Sequence, residues 1–151
     1  QFQDRLVQKE YVAIVWGVWK NDRGTVEYPI GRSVTDFRRR SAEKNAKPPL
    51  RDARTDYEVI ARGGGFTLVR LRPKTGRMHQ IRVHMKAVGH PLVGDGLYAP
   101  RRDASVLGFN RLALHAENLT IILPSGETQS FAASLPGPLN RAIFQGLWQE
   151  S

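Results

Sequence analysis

Apolar side chains crowd both alternating faces of residues 10–19, Glu-Tyr-Val-Ala-Ile-Val-Trp-Gly-Val-Trp, which is the pattern of a central strand covered on both sides of a sheet. Asn21-Asp22-Arg23-Gly24 then has turn chemistry, and residues 25–30 read as a second strand, so a hairpin is predicted. Residues 56–61 and 66–71 form a second pair of strand-like runs around Gly63-Gly64-Gly65, where glycine allows a reversal at positive φ. After Pro73-Lys74-Thr75-Gly76 the period changes. Met78, Ile81, Met85 and Val88 recur at helical spacing, and Gly89 and Pro91 supply a stop. The spacing predicts a helix over 77–88, with Arg82 beside its apolar stripe and Lys86 toward the opposite side.

Residues 112–123 and 128–133 read as two further strands joined by Pro124-Ser125-Gly126-Glu127. Pro138 followed by Leu139, Ile143 and Leu147, with Phe144 alongside, predicts a terminal amphipathic helix. Two stretches carry no period: a basic run over 31–55, containing Arg38-Arg39-Arg40 and closed by Pro48-Pro49, and a Gly/Pro-rich run over 92–102. Both read as surface loops, and a loop as long as the first is often functional. Hairpin-connected strands without βαβ units define an α+β class.

Composition sharpens this in three ways. The 151 residues fit one domain that could bury roughly 70% of the surface its unfolded chain exposes. The absence of cysteine excludes disulfides, a thiolate nucleophile and cysteine-ligated zinc. No window approaches 18 consecutive apolar residues and residues 1–6 carry no export pattern, so a cytoplasmic chain without a membrane partner is expected. The charge of +9, from 23 Lys and Arg against 14 acids, favours a polyanionic partner, nucleic acid first.

Of the common chemistries, several find no support. His79 and His84 are five apart and diverge on a helix, so no metal is expected, and no Gly-x-Ser-x-Gly occurs for a serine nucleophile. Asp95, in Gly94-Asp95-Gly96, reads as a turn residue bonding local amides. What stands out is Thr75-Gly76-Arg77-Met78-His79-Gln80-Ile81-Arg82-Val83-His84. Two arginines there flank a narrow apolar stripe, and a guanidinium cannot shed its charge to ease burial.

That segment resembles the Gly-Arg-Thr-His-Gln-Ile-Arg-Val-His motif of RluA-type pseudouridine synthases, with Met78 in place of the usual Thr. The resemblance continues through Gly89-His90-Pro91-Leu92-Val93-Gly94-Asp95 with Tyr98, through Arg111-Leu112-Ala113-Leu114-His115-Ala116, and back to Lys9-Glu10-Tyr11-Val12-Ala13. It implies the pseudouridine synthase fold in part: a mixed, largely antiparallel β-sheet with flanking helices and a basic cleft, residues 1–151 being the C-terminal portion of a catalytic domain. It also implies isomerisation of uridine in structured RNA, rRNA or tRNA, without a cofactor, by a chain expected to be monomeric. A noncatalytic RNA-binding module of the same fold is the alternative.

By the same resemblance Tyr11, Arg82 and Leu114 are the candidate catalytic residues. Tyr11 would stack on the extruded uracil and serve proton transfer at C5, Arg82 would orient a catalytic aspartate, and Leu114 would pack beside the base. Lys9, Arg77 and His79 would face the RNA. The family aspartate sits in a His-Arg-Leu-Asp motif upstream of the Lys-x-Tyr segment, and that motif does not occur in these 151 residues. Asp4 lacks its flanks, so the chain alone is expected to be inactive and Arg82 to be solvated or paired elsewhere.

Overall fold

The computed structural model describes residues 7–44, 46–108 and 111–137. Among them the chain forms nine strands and one α-helix: β1 (Val7–Trp16), β2 (Arg23–Val26), β3 (Ile30–Arg32), β4 (Arg40–Ser41), β5 (Lys47–Arg51), β6 (Thr55–Gly63), β7 (Phe66–Pro73), α1 (Gln80–Ala87), β8 (Leu114–Ile122) and β9 (Thr128–Ala132). Six strands make one sheet in the order β2-β6-β7-β1-β8-β9, three make a small sheet in the order β4-β3-β5, and every pairing is antiparallel. The predicted terminal helix and Asp4 lie outside the described residues.

β1 is the doubly covered strand its sequence implies. Ala13 and Val15 face a core that includes Leu71, Ile81 and Met85, while Val12 and Ile14 face a second core with Phe66, Leu68 and Val93. The β6–β7 hairpin turns through Gly64 and Gly65 at φ 58° and 83°, between the paired Gly63 and Phe66. A two-residue turn with both central residues at positive φ matches the twist of its strands, and only glycine enters it without strain.

The first predicted hairpin does not form. β1 ends at Trp16, since Gly17 turns the chain away at φ 86°. The Thr67 hydroxyl then fastens the exit, donating to the Gly17 carbonyl (2.8 Å) and accepting from the Trp19 amide (3.0 Å). Both edges of β1 are already bonded, to β7 and β8, so β2 pairs with β6 instead. The basic stretch read as a loop holds the small sheet, in which Gly31 lies so close to the Lys47 carbonyl that no Cβ would fit.

The helix is shorter than the predicted 77–88. His79 caps it at φ 55°, outside helical space, and Met78 is exposed rather than part of the stripe. A chain of hydrogen bonds holds the helix to β6. The His84 Nε2 proton goes to the Tyr28 carbonyl (2.8 Å), so its Nδ1 accepts from Thr55 Oγ1 (2.9 Å), which itself accepts from Gln80 Nε2 (3.0 Å). That set of roles requires neutral His84, and burial holds its pKa below the ordinary histidine range against the opposing pull of the Tyr28 carbonyl.

The unfolded chain therefore binds a proton at this residue first as pH falls below about 6.5, and the His84 contribution to stability, full above that pH, is lost toward the lower folded value. His84→Gln is expected to cost about 1–3 kcal/mol at pH 7.5 through the orphaned Thr55 and Tyr28 groups. In urea titrations it should also flatten the fall in stability between about pH 6.5 and 5; an unchanged slope would count against the neutral-histidine chain.

Candidate active site

The end of β7 and the first turn of α1 are held by one side chain. Gln80 is buried, and its Oε1 accepts from Thr75 Oγ1 (2.6 Å) and the Arg77 amide (3.1 Å), while its Nε2 donates to the Arg54 carbonyl (2.9 Å) and Thr55 Oγ1 (3.0 Å). Both donors and both acceptor directions of the amide are used, which leaves it one orientation. The turn over residues 75–79 is thereby set against β6, with Arg77 reaching across to the Asp52 carbonyl (2.8 Å).

Arg82 projects from α1 onto Asp95. Its Nε and Nη2 bind Oδ2 and Oδ1 at 3.0 and 2.7 Å, the two-point geometry a planar guanidinium offers a carboxylate. The Asp95 side chain is fully buried and also accepts from the Leu97 and Tyr98 amides (3.1 and 3.0 Å). Burial alone would raise the Asp95 pKa, but the Arg82 and backbone hydrogen bonds outweigh it and hold the carboxyl below the usual range. The Arg82 guanidinium also lies 5.0 Å from the centroid of the Tyr98 ring.

The loop carrying Asp95 is sewn to the sheet. Trp16 donates to the Pro91 carbonyl (2.9 Å), Val93 to the Ile14 carbonyl (2.9 Å) and Ala113 to the Val93 carbonyl (2.9 Å). Gly94, at φ 75°, passes against the Arg111 carbonyl where a Cβ would collide. Tyr98 accepts from the Arg40 amide (2.9 Å) and lies 2.8 Å from His79 Nδ1, to which its proton is the natural donor. Burial, followed by the nearby Arg82 charge, keeps the His79 pKa below its ordinary value, so this imidazole is neutral at pH 7.

These elements line an open cavity of about 220 Å³. All six residues singled out from sequence line it: Lys9 and Tyr11 from β1, Arg77 and His79 from the turn, Arg82 from α1 and Leu114 from β8. A register shift between Glu10 and Tyr11 in the β1–β8 pairing re-aims the strand there. No carboxylate lines the cavity among the described residues. Sequence reasoning did not foresee Asp95 as the partner of Arg82 or Gln80 as the holder of the turn. A salt bridge between a helix and a loop thirteen residues on leaves no periodic trace.

The four histidines each have a partner of their own, His90 at the Trp16 carbonyl (2.8 Å) and His115 at the Ala133 carbonyl (3.0 Å) completing the set. Among the described residues no group of three or more His, Asp or Glu is placed to hold a metal ion.

The family profile for RNA pseudouridylate synthase matches residues 1–87. The dual-specificity RNA pseudouridine synthase RluA of Vibrio cholerae is 45% identical over 82% of this chain and 49% of its own length. An uncharacterized RNA pseudouridine synthase of Bacillus subtilis, YlyB, is 41% identical over 95% of this chain and 45% of its own. The chain thus spans about half the length of these curated relatives. Among solved structures, human RNA pseudouridylate synthase domain containing 1 superposes with a TM-score of 0.79 at 30% identity, over 99% of this chain and 64% of the human one.

Asp95→Asn keeps the shape of the site but leaves the Arg82 charge without its counterion. The expected loss is about 3–5 kcal/mol of folding stability, read from urea denaturation at pH 7. A variant as stable as the parent would mean that Arg82 finds an equivalent partner.

Proposed function

The chain belongs to the RNA pseudouridylate synthase family, and on that premise we propose that its cavity receives a uridine flipped out of structured RNA, rRNA or tRNA, for isomerisation to pseudouridine. The observation that carries the proposal is the convergence of Tyr11, Arg82 and Leu114, from two strands and a helix, on one cavity. At about 220 Å³ it is smaller than the roughly 300–1,000 Å³ of sites for drug-sized ligands, a size that suits a single base.

In this reading the bond between uracil N1 and ribose C1′ breaks, the base turns, and C5 bonds to C1′. The proton leaves C5 and N1 regains one, so the reaction is balanced without a co-reactant. Tyr11 stacks on the base with its hydroxyl placed for the C5 proton, and Leu114 covers the base edge and excludes water. Lys9, Arg77 and His79 contact the RNA around it. Extrusion costs a few kcal/mol, offset by contacts to the backbone.

A carboxylate must assist at C1′, and Asp95 is unsuited to that. It is buried beneath Arg82, its oxygens are taken by four donors, and it does not line the cavity. Arg82 spends only Nε and Nη2 on Asp95. Its Nη1 is left to orient a second carboxylate and keep it ionised. We assign that carboxylate to an aspartate upstream of β1.

The test is tritium release from tRNA and rRNA fragments labelled at uridine C5. Release is expected from a protein extended upstream through a His-Arg-Leu-Asp motif and not from the 151 residues alone. In the extended protein Tyr11→Phe should lower kcat about 10²–10⁴-fold with little change in KM, and Arg82→Lys, which loses the fork, should also impair turnover. If neither form releases tritium from either RNA, the noncatalytic RNA-binding reading replaces this one; release from the short chain would overturn the assignment of the carboxylate.

A further inference from the structure

A second depression lies on the far side of the turn over residues 75–79. It measures about 460 Å³ and is lined by Arg32 of β3, Arg40 of β4, Lys47 and Arg51 of β5, and Arg77 and Met78. Five cations face it and no carboxylate lines it among the described residues. We propose that this cleft binds the phosphodiester backbone of a single-stranded RNA segment flanking the nucleotide in the cavity. The proposal rests on reading the cavity as a uridine site.

Charge pairing sets this cleft apart from the rest of the described surface. Most arginines elsewhere meet acids: Arg38 and Arg39 meet Asp36, Arg54 meets Glu27 and Asp56, and Arg70 and Arg72 share Glu10. None of the five cleft cations lies within 4.0 Å of a carboxylate among the described residues. Five like charges lining one depression repel and are relieved by a polyanion.

The cleft is also continuous with the cavity. Gly76 and Arg77 line both the cavity and the cleft, so a strand leaving the cavity past Arg77 enters the cleft directly. The Arg77 guanidinium donates to the Asp52 carbonyl and the Arg40 backbone amide to the Tyr98 hydroxyl, which steadies these two positions. Gly31 permits the close approach of β3 and β5 that brings Arg32 and Lys47 to the same rim, where they are register partners.

A peptide fits this cleft less well than a polyanion does. An extended peptide would bind this sheet by adding a strand at the β5 edge, but Pro48 and Pro49 leave two of its five residues without an amide proton. A phosphodiester chain needs cations rather than a backbone ladder.

The test measures binding of a fluorescein-labelled single-stranded RNA dodecamer to the intact protein by anisotropy across a KCl series. Each phosphate contact on a single strand contributes about 0.7 to the slope of log K against log salt. Arg32→Gln/Lys47→Gln/Arg51→Gln should therefore flatten that slope by about 2, while Lys20→Gln/Arg23→Gln, exposed cations outside the cleft, should leave it as in the parent. Arg32→Lys/Arg51→Lys keeps the charge and should keep the slope, which separates lost charge from damaged structure. An unchanged slope in the triple variant, equal flattening in the Lys20/Arg23 control, or loss in the lysine variant would each overturn the cleft. Tritium release from the same substitutions made in the upstream-extended protein judges the uridine reading separately: flattening without any release from the extended parent sinks that reading and leaves the cleft standing.

Discussion

A buried carboxylate must be paired or neutralised, and around Asp95 the structure takes the first course. Arg82 supplies two hydrogen bonds and the countercharge, and the Leu97 and Tyr98 amides supply the rest. To bring the pair together α1 must lie over the sheet at one rotation, and the loop over residues 91–95 must be pinned to β1 and to Ala113. Gly94 follows from that pinning, since the Arg111 carbonyl occupies the space a side chain would take. Tyr98 then completes the arrangement, its ring against the guanidinium and its hydroxyl between β4 and the cap of α1.

Where the sequence pattern was local, it could be read. The β6–β7 and β8–β9 hairpins follow from glycine turns between alternating runs, and the body of α1 from Ile81 and Met85 one turn apart. What escaped was non-local. β2 pairs with the distant β6, Arg23 opposite Glu58 and Val26 opposite Thr55, because β1 has no free edge, and the small sheet uses strands of two to five residues, too short to show a period. The site divides in the same manner. Tyr11, Arg82 and Leu114 stand in recognisable motifs and meet at the cavity, whereas the Asp95 pair and the fully bonded Gln80 amide exist only once distant segments have packed.

The acids are not spread evenly over the fold. On the sheet face opposite α1, Glu10 bridges Arg70 and Arg72, Glu58 adds a second bond to Arg72, and Glu117 a second to Arg70. That ladder neutralises the positive charge of the central strands where they are half-buried. The turn at Asp36 does the same for two of the three consecutive arginines, with the Arg38 hydrogen bond foremost in holding its carboxyl down at about 2. Among the described residues, the cations left without a carboxylate include Arg32, Arg40, Lys47, Arg51 and Arg77 around the cleft of the small sheet.

The two prolines of β5 bear on how copies of the protein behave together. A basic chain gathers on polyanions at high local concentration, the condition in which exposed sheet edges template one another and grow into fibrous aggregates. An edge strand with two of five amide protons missing is a poor template. Neighbouring molecules at high concentration then find no ready strand to extend at the β5 edge of the small sheet.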